Sequence, residues 1–335
     1  MVESRPLAET PAPHTWTTQT TRVFVWSVVL FTAAFVLNAY LSFWQDWPGT
    51  LPLLTGTGSI DTLVIVQAAL YVAAIALAVA IVASAPDRSL RSESAILNGI
   101  VTYIIRACYY AVLLVGLADM VISFLRVENL LTSVVGADLA EQLGRSRFRG
   151  PYVHMPLILL GMIIAAFKRD LGFVWLALLV VIAELQIVIM RFIFAYEQAF
   201  MGDLVRFWYA ALFLFASAYT LLEDGHVRVD VVYAGLSQRA RGMVNLIGSI
   251  ILGLVFCWVI LAIGMWSKTS IITTAMRTYE VSQSGYGMYV KYLMAGFLGV
   301  FAVTMMIQFA SYVLESLADV RGDPGHREPA GESLH

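Results

Sequence analysis

The chain of 335 residues is 59% hydrophobic and 13% charged, with a formal net charge of −2, roughly half the charged fraction of an ordinary soluble domain. A composition this apolar excludes a water-soluble globule, and a near-zero charge with basic residues scattered through short loops excludes a nucleic-acid-binding face. The two cysteines, Cys108 and Cys257, lie inside apolar runs without metal-ligand or disulfide spacing.

Residues 1–22 form a polar tail that contains Glu3 and Glu9 and lacks the compact basic start of a signal peptide, so the first apolar run is expected to stay as an anchor. Candidate spans follow at Val23 to Phe43, Leu63 to Ala83, Ile100 to Leu125, Tyr152 to Phe167, Leu171 to Phe194, Leu204 to Leu222, Met243 to Trp266 and Tyr289 to Leu314. About 20 helical residues cross a hydrocarbon core, and seven of these runs are long enough. Tyr152 to Phe167 is short and contains Pro156, but LILLGMIIAAF is apolar on every face, so it crosses with thinning or re-enters. The predicted fold is all-α: a polytopic integral membrane helical bundle of seven to eight transmembrane helices, eight being preferred. With the N-terminus inside, inner loops and tails hold eleven Lys and Arg against six outside, as the positive-inside rule requires. The C-terminus is then cytoplasmic. Seven spans give the same tally and the same second half, with AYEQAFMGD and the loop containing Arg277 and Glu280 outside.

Between the third and fourth runs, residues 129–144 set Leu131, Val134, Val135 and Leu139 on one face and Asp138, Glu141 and Gln142 on another, the pattern of an interfacial helix. The final stretch is polar and proline-bearing. The expected organisation is therefore a polar tail (1–22), an N-terminal membrane extension (23–167), a four-helix core (168–315) and a disordered tail (316–335).

Of five histidines only His154 lies in or near a span, which excludes a bis-histidine haem site between helices. The chain has no Gly-rich phosphate loop, HExxH or GxSxG, so neither an enzyme nor a cofactor is expected. Charge inside the membrane is costly and marks candidate sites. Arg106, Arg191, Arg206 and Lys291 stand within a turn or two of span ends, where a long side chain reaches lipid headgroups, and interface anchoring accounts for them. Asp119 and Glu184 lie deeper. Each either binds a transported ion or clamps helices together, and neither has an obvious partner in the chain. Glu184 and Arg191, seven residues apart, share a helix face about 10 Å apart. Ser249 with Gly253, and Ala295 with Gly299, have the small-residue spacing that serves internal packing or a partner interface equally.

Residues 219–242 read YTLLEDGHVRVDVVYAGLSQRARG. Glu223, Asp224 and Gly225 stop a span, because carboxylates are costly in hydrocarbon and Gly frees the chain to turn. In HVRVDV, an extended chain places His226, Arg228 and Asp230 opposite the valines, and a helix still makes His226 and Asp230 neighbours at i and i+4. These three residues are expected to form a polar clasp at the cytoplasmic surface.

The second half resembles the small membrane subunit, the DctQ type, of tripartite ATP-independent periplasmic (TRAP) transporters. The resemblance rests on IVIMRFIF closing one span, GDLVRFWYAALFLFASAYTL forming the next, GHVRVDVVYAGLSQRARG, a third span, EVSQSGYG beginning at Glu280, and a fourth span entered through YVKYLMAGF with Lys291. In the family an Arg followed by an aromatic closes the first core span, here Arg191 and Phe192. An acid precedes an Arg at the second, here Asp203 and Arg206, and a His-x-x-x-Asp segment opens the cytoplasmic loop, here His226 and Asp230. Asp203 stands where the family usually has Glu with a nearby Trp, and three or four extra spans precede the four-span core. The resemblance implies a non-catalytic scaffold in the bacterial inner membrane that braces a large permease subunit. The large subunit would move an organic acid with sodium, delivered by a periplasmic binding protein. A self-sufficient channel or carrier is the competing class; broken midplane helices and repeated halves would mark it, and the sequence shows neither.

Overall fold

The computed structural model describes residues 15–56, 60–169, 172–196, 198–222, 233, 235–282 and 287–325. Among them there is no strand. Eight helices are long and apolar enough to cross a membrane, and they form because a backbone in hydrocarbon must satisfy its own N–H and C=O groups. The chain is a multi-pass membrane protein. In order, the helices are α1 (Trp16–Trp44), the short α2 (Leu51–Thr55), α3 (Thr62–Ser84), α4 (Leu90–Val127), α5 (Leu131–Val135) and α6 (Ala137–Leu143). They continue with α7 (Ser146–Phe167), α8 (Phe173–Phe194), α9 (Ala199–Leu222), α10 (Gln238–Met265), the short α11 (Ile271–Thr278) and α12 (Lys291–Arg321).

Several boundaries differ from the sequence-based expectation, each for a local reason. α1 begins at Trp16 because Thr18 and Arg22 are buried and bonded inside the fold. α4 begins ten residues before Ile100 and runs for 38 residues, about 57 Å and well beyond a hydrocarbon core. Its first turns hold Arg91 and Glu93, both in ion pairs. α7 gains its first turns from residues 146–151, so the doubtful run belongs to a helix of 22 residues. Residues 129–144 form two helices broken at Gly136, whose φ of 83° suits glycine. α12 continues to Arg321, with Leu317 and Ala318 buried, where a disordered tail was expected from residue 316. Residues 326–335 lie outside the described set.

The chain divides into two compact units: residues 1–99, 222–256 and 306–335 form one, and residues 100–221 and 257–305 the other. Each unit draws on both the expected extension and the expected core. α4, α10 and α12 each contribute a segment to both.

In the first unit α1 packs along α3 around Gln67. That side chain accepts from Gly49 N at 2.8 Å and donates to Ser42 Oγ at 2.9 Å, while the Gln67 backbone carbonyl accepts from Asn38 Nδ2 at 3.1 Å. Arg22 and Glu93 are fully buried and pair at 2.6 Å, and Arg22 also donates to the Ala85 and Pro86 carbonyls at 2.7 and 3.0 Å. These bonds fix α1 to the α3–α4 turn and to α4. Arg91 spans to α12, donating to Glu315 at 2.6 Å, to Asp319 at 2.8 Å and to the carbonyls of Asp323 and Pro324. Beside it, Ser94 and Asn98 both bond Ser311. Ser249 and Gly253 belong to internal packing: a Cβ on Gly253 would stand 2.5 Å from the Phe309 ring. Because a planar guanidinium forks between two carboxylates as no other side chain does, Arg91→Ala is expected to lower stability by about 2 kcal/mol. The thermal midpoint of the detergent-solubilised chain measures it.

Candidate functional site: a closed charge network ahead of the last helix

Within the second unit, four segments converge just before α12: the last third of α4, the start of α7, the start of α9 and the approach at residues 280–282 and 287–290. Asp119, on α4, is fully buried and is the hub. Its Oδ1 accepts from Arg149 Nη1 at 2.7 Å and from His154 Nε2 at 3.1 Å, and its Oδ2 accepts from the Tyr289 backbone N–H at 2.8 Å. A carboxylate only accepts, so Nε2 of His154 donates to it, and Nδ1 shares a hydrogen bond with the Tyr292 hydroxyl at 2.8 Å. Arg149 and Asp119 then cancel in charge. Arg149 also donates to Ser123 Oγ at 3.1 Å and to the Leu143 carbonyl at 2.5 Å.

Tyr289 lies between two cations, with the Arg126 and Arg149 guanidinium carbons 4.5 and 4.4 Å from its ring centre. Its hydroxyl donates to the Gly144 carbonyl at 2.9 Å and accepts from Arg126. Arg126 in turn holds the Gly287 carbonyl at 2.8 Å. Next to it, Asp203 at the start of α9 accepts from the Met288 backbone N–H at 3.1 Å and lies 3.4 Å from the Ser282 hydroxyl. Two consecutive backbone N–H groups, of residues 288 and 289, are thus each taken by a carboxylate. Both negative charges stand at the N-terminus of α12, where the helix dipole favours them. Lys291 pairs with Glu280 at 2.6 Å, and the Tyr292 N–H donates to the Glu280 carbonyl at 3.1 Å.

The start of α7 explains how Arg149 and His154 meet on one acid. Residues five apart on an α-helix point about 140° away from each other. Here Gly150–His154 form a π turn, with the Met155 N–H bonded to the Gly150 carbonyl, and i→i+5 bonding brings such residues nearly onto one side. Pro151 and Pro156 supply no N–H, which weakens the competing α pattern. Gly150 allows the Tyr279 ring to lie against the backbone, since a Cβ there would overlap it.

The network gathers Asp119, Asp203, Glu280 and Lys291 from the sequence-derived candidates. Arg206 stands 3.6 Å from Asp203 but is largely exposed. The expectation that Asp119 has too few partners in this chain is wrong: Arg149, His154 and Tyr289 all bond it. Arg106 is not merely a headgroup anchor, because it donates to the Ala165 and Lys168 carbonyls at 3.2 and 2.8 Å, capping the end of α7. Arg149, His154, Tyr289 and Tyr292 went unselected in the sequence. The usable signal was Asp119 itself, a deep acid that requires a cation. Glu184, Arg191 and Phe192 stand apart from the network, all exposed on α8. His226, Arg228 and Asp230, with the expected clasp, lie outside the described residues.

Among the described residues no group of three or more His, Cys, Asp or Glu side chains could hold a metal ion. Most polar groups of the network point at one another, Arg149 Nη2 being buried without a hydrogen-bond partner among the described residues, and the bonds make it a clamp: it joins α4 and α7 to the start of α12.

The comparisons with known proteins agree with the motifs. Residues 173–319 match the family model for the DctQ component of tripartite ATP-independent periplasmic transporters. The match takes in α8 to α11 and nearly all of α12, and covers less than half of the chain. No curated protein and no solved structure matches.

Proposed function

We propose, on the premise that residues 173–319 form a DctQ component, that the chain is the small, non-catalytic membrane subunit of a TRAP-type secondary transporter in a bacterial inner membrane. It works with a large permease subunit that imports an organic acid with sodium and with a periplasmic binding protein that delivers the acid. The family match is the observation that carries this reading. The clamps support a bracing role: α4, outside the matched segment, is tied to α12 by Arg91 in one unit and by Asp119 in the other. The extra helices thus stiffen the DctQ segment. In this reading the Asp119 network lies at the periplasmic end, and the C-terminus lies in the cytoplasm.

Co-expression with the large subunit and the binding protein of the same transporter tests the proposal. The chain is expected to hold the large subunit through mild-detergent purification, and proteoliposomes are expected to take up the acid under a sodium gradient only when both membrane subunits are present. Uptake by this chain alone would establish the carrier reading instead. A single cysteine at Gln198 is expected to react with a membrane-impermeant thiol reagent in intact cells; protection there reverses the orientation.

A further inference from the structure

α8 is the most loosely held of the long helices: of its 22 residues only Leu176 and Ala183 are buried. Much of the rest is exposed and apolar, including Val181, Leu185 and Val188. A carboxylate at its middle does not fit lipid. Glu184 is exposed and sits at the middle of Phe173–Phe194, about 16 Å from either end. Neither it nor Arg191 has an ion pair or hydrogen-bond partner among the described residues. This contrasts with Asp119 and Glu93, which are buried acids, each paired with an arginine.

A carboxylate at that depth costs several kcal/mol against hydrocarbon, and its short side chain does not reach the headgroups as an arginine does. Lipid therefore does not cover it. A second copy does not either. Two copies inserted in the same direction around a twofold axis along the membrane normal place equivalent residues at equal depth, which sets Glu184 against Glu184. The complementary surface is a transmembrane helix of a different chain with a cation at the midplane. Arg191 adds a second mark, seven residues on, within about 20° of Glu184 around the helix and about 10 Å along it. The partner then presents an acid or a lipid phosphate one and a half to two turns from its cation.

We infer that the Glu184 side of α8 docks on a transmembrane helix of the large permease subunit, pairing Glu184 with a lysine or arginine of that helix at the bilayer midplane. The inference rests on the small-subunit reading given above and adds the contact face and its chemistry.

The test uses the full chain co-expressed with the large subunit. Glu184→Lys is expected to weaken retention of the large subunit about a hundredfold, as loss of one member of a buried ion pair does, with the abundance of this chain unchanged. Reversing the partner's midplane cation to Glu is expected to restore retention. A photo-crosslinking residue at Val188 is expected to capture the large subunit, and one at Ile182, on another side of α8, to leave it uncaptured; this arm needs no charge change. If wild-type chain fails to hold the large subunit at all, the functional reading itself falls. If wild type holds it while Glu184→Lys also does and Val188 captures only lipid or a second copy, the docking face is wrong and the function stands. Retention by Glu184→Gln equal to wild type overturns the ion pair.

Discussion

Asp119→Ala is expected to be the most damaging single substitution in the chain, lowering stability by about 3–5 kcal/mol, the range for one member of a buried pair removed with its partner left behind. The cost has three sources. The Arg149 guanidinium is fully buried and loses its counter-charge. The Tyr289 N–H and His154 Nε2 lose their acceptor. The approach to α12 loses one of the two carboxylates that hold it. Asp119→Leu with Arg149→Met is expected to recover much of the loss, because two apolar side chains replace an ion pair at little net cost. The remaining deficit reports the two orphaned donors, about 1–3 kcal/mol each. Thermal melting of the solubilised protein, compared across the cycle, gives each part. Equal stability of Asp119→Ala and wild type would show that the network bears no load.

Gly161→Val is expected to cost about 3 kcal/mol or more by forcing apart two helices in backbone contact. A Cβ at Gly161 would stand 2.6 Å from the Ala111 nitrogen and 2.9 Å from its Cα. Backbone has no rotamer with which to yield, so α7 must move away from α4. The same two helices hold the Asp119–Arg149 pair, and the movement lengthens it. Gly248→Ala is the control: nothing lies within 4 Å of the added carbon, and its effect is expected to stay within about 0.5 kcal/mol. Comparable losses from both substitutions would show that the close approach to Ala111 does not decide the cost.

The spans were legible in the sequence because hydrocarbon thickness fixes a length and hydropathy marks it. Their ends were not. α4 and α12 run past their apolar runs because Arg91, Glu93, Glu315 and Asp319 find partners across the fold, and tertiary pairing leaves no trace in local composition. Asp203, Glu280 and Lys291 were found through motif spacing, and the structure gives each a bonded role. The rest of the network depends on a π turn. A period of 3.6 residues separates Arg149 from His154, so no pattern based on α-helical geometry joins them. Glu184 was visible as a deep acid, but only its exposure and its lack of a partner among the described residues distinguish it from Asp119.

The sequence distance between members of the Asp119 network governs how the protein is made. A ribosome delivers α4 and α7 to the membrane well before residue 289 leaves the exit tunnel. Asp119 and Arg149 can enter as a neutral couple, which spares the inserting hairpin two naked charges. One oxygen of Asp119 then waits for a donor that arrives only with the residues leading into α12. Closure of the network therefore follows the delivery of residue 289, and a chain cut short before it leaves one oxygen of Asp119 without its backbone donor.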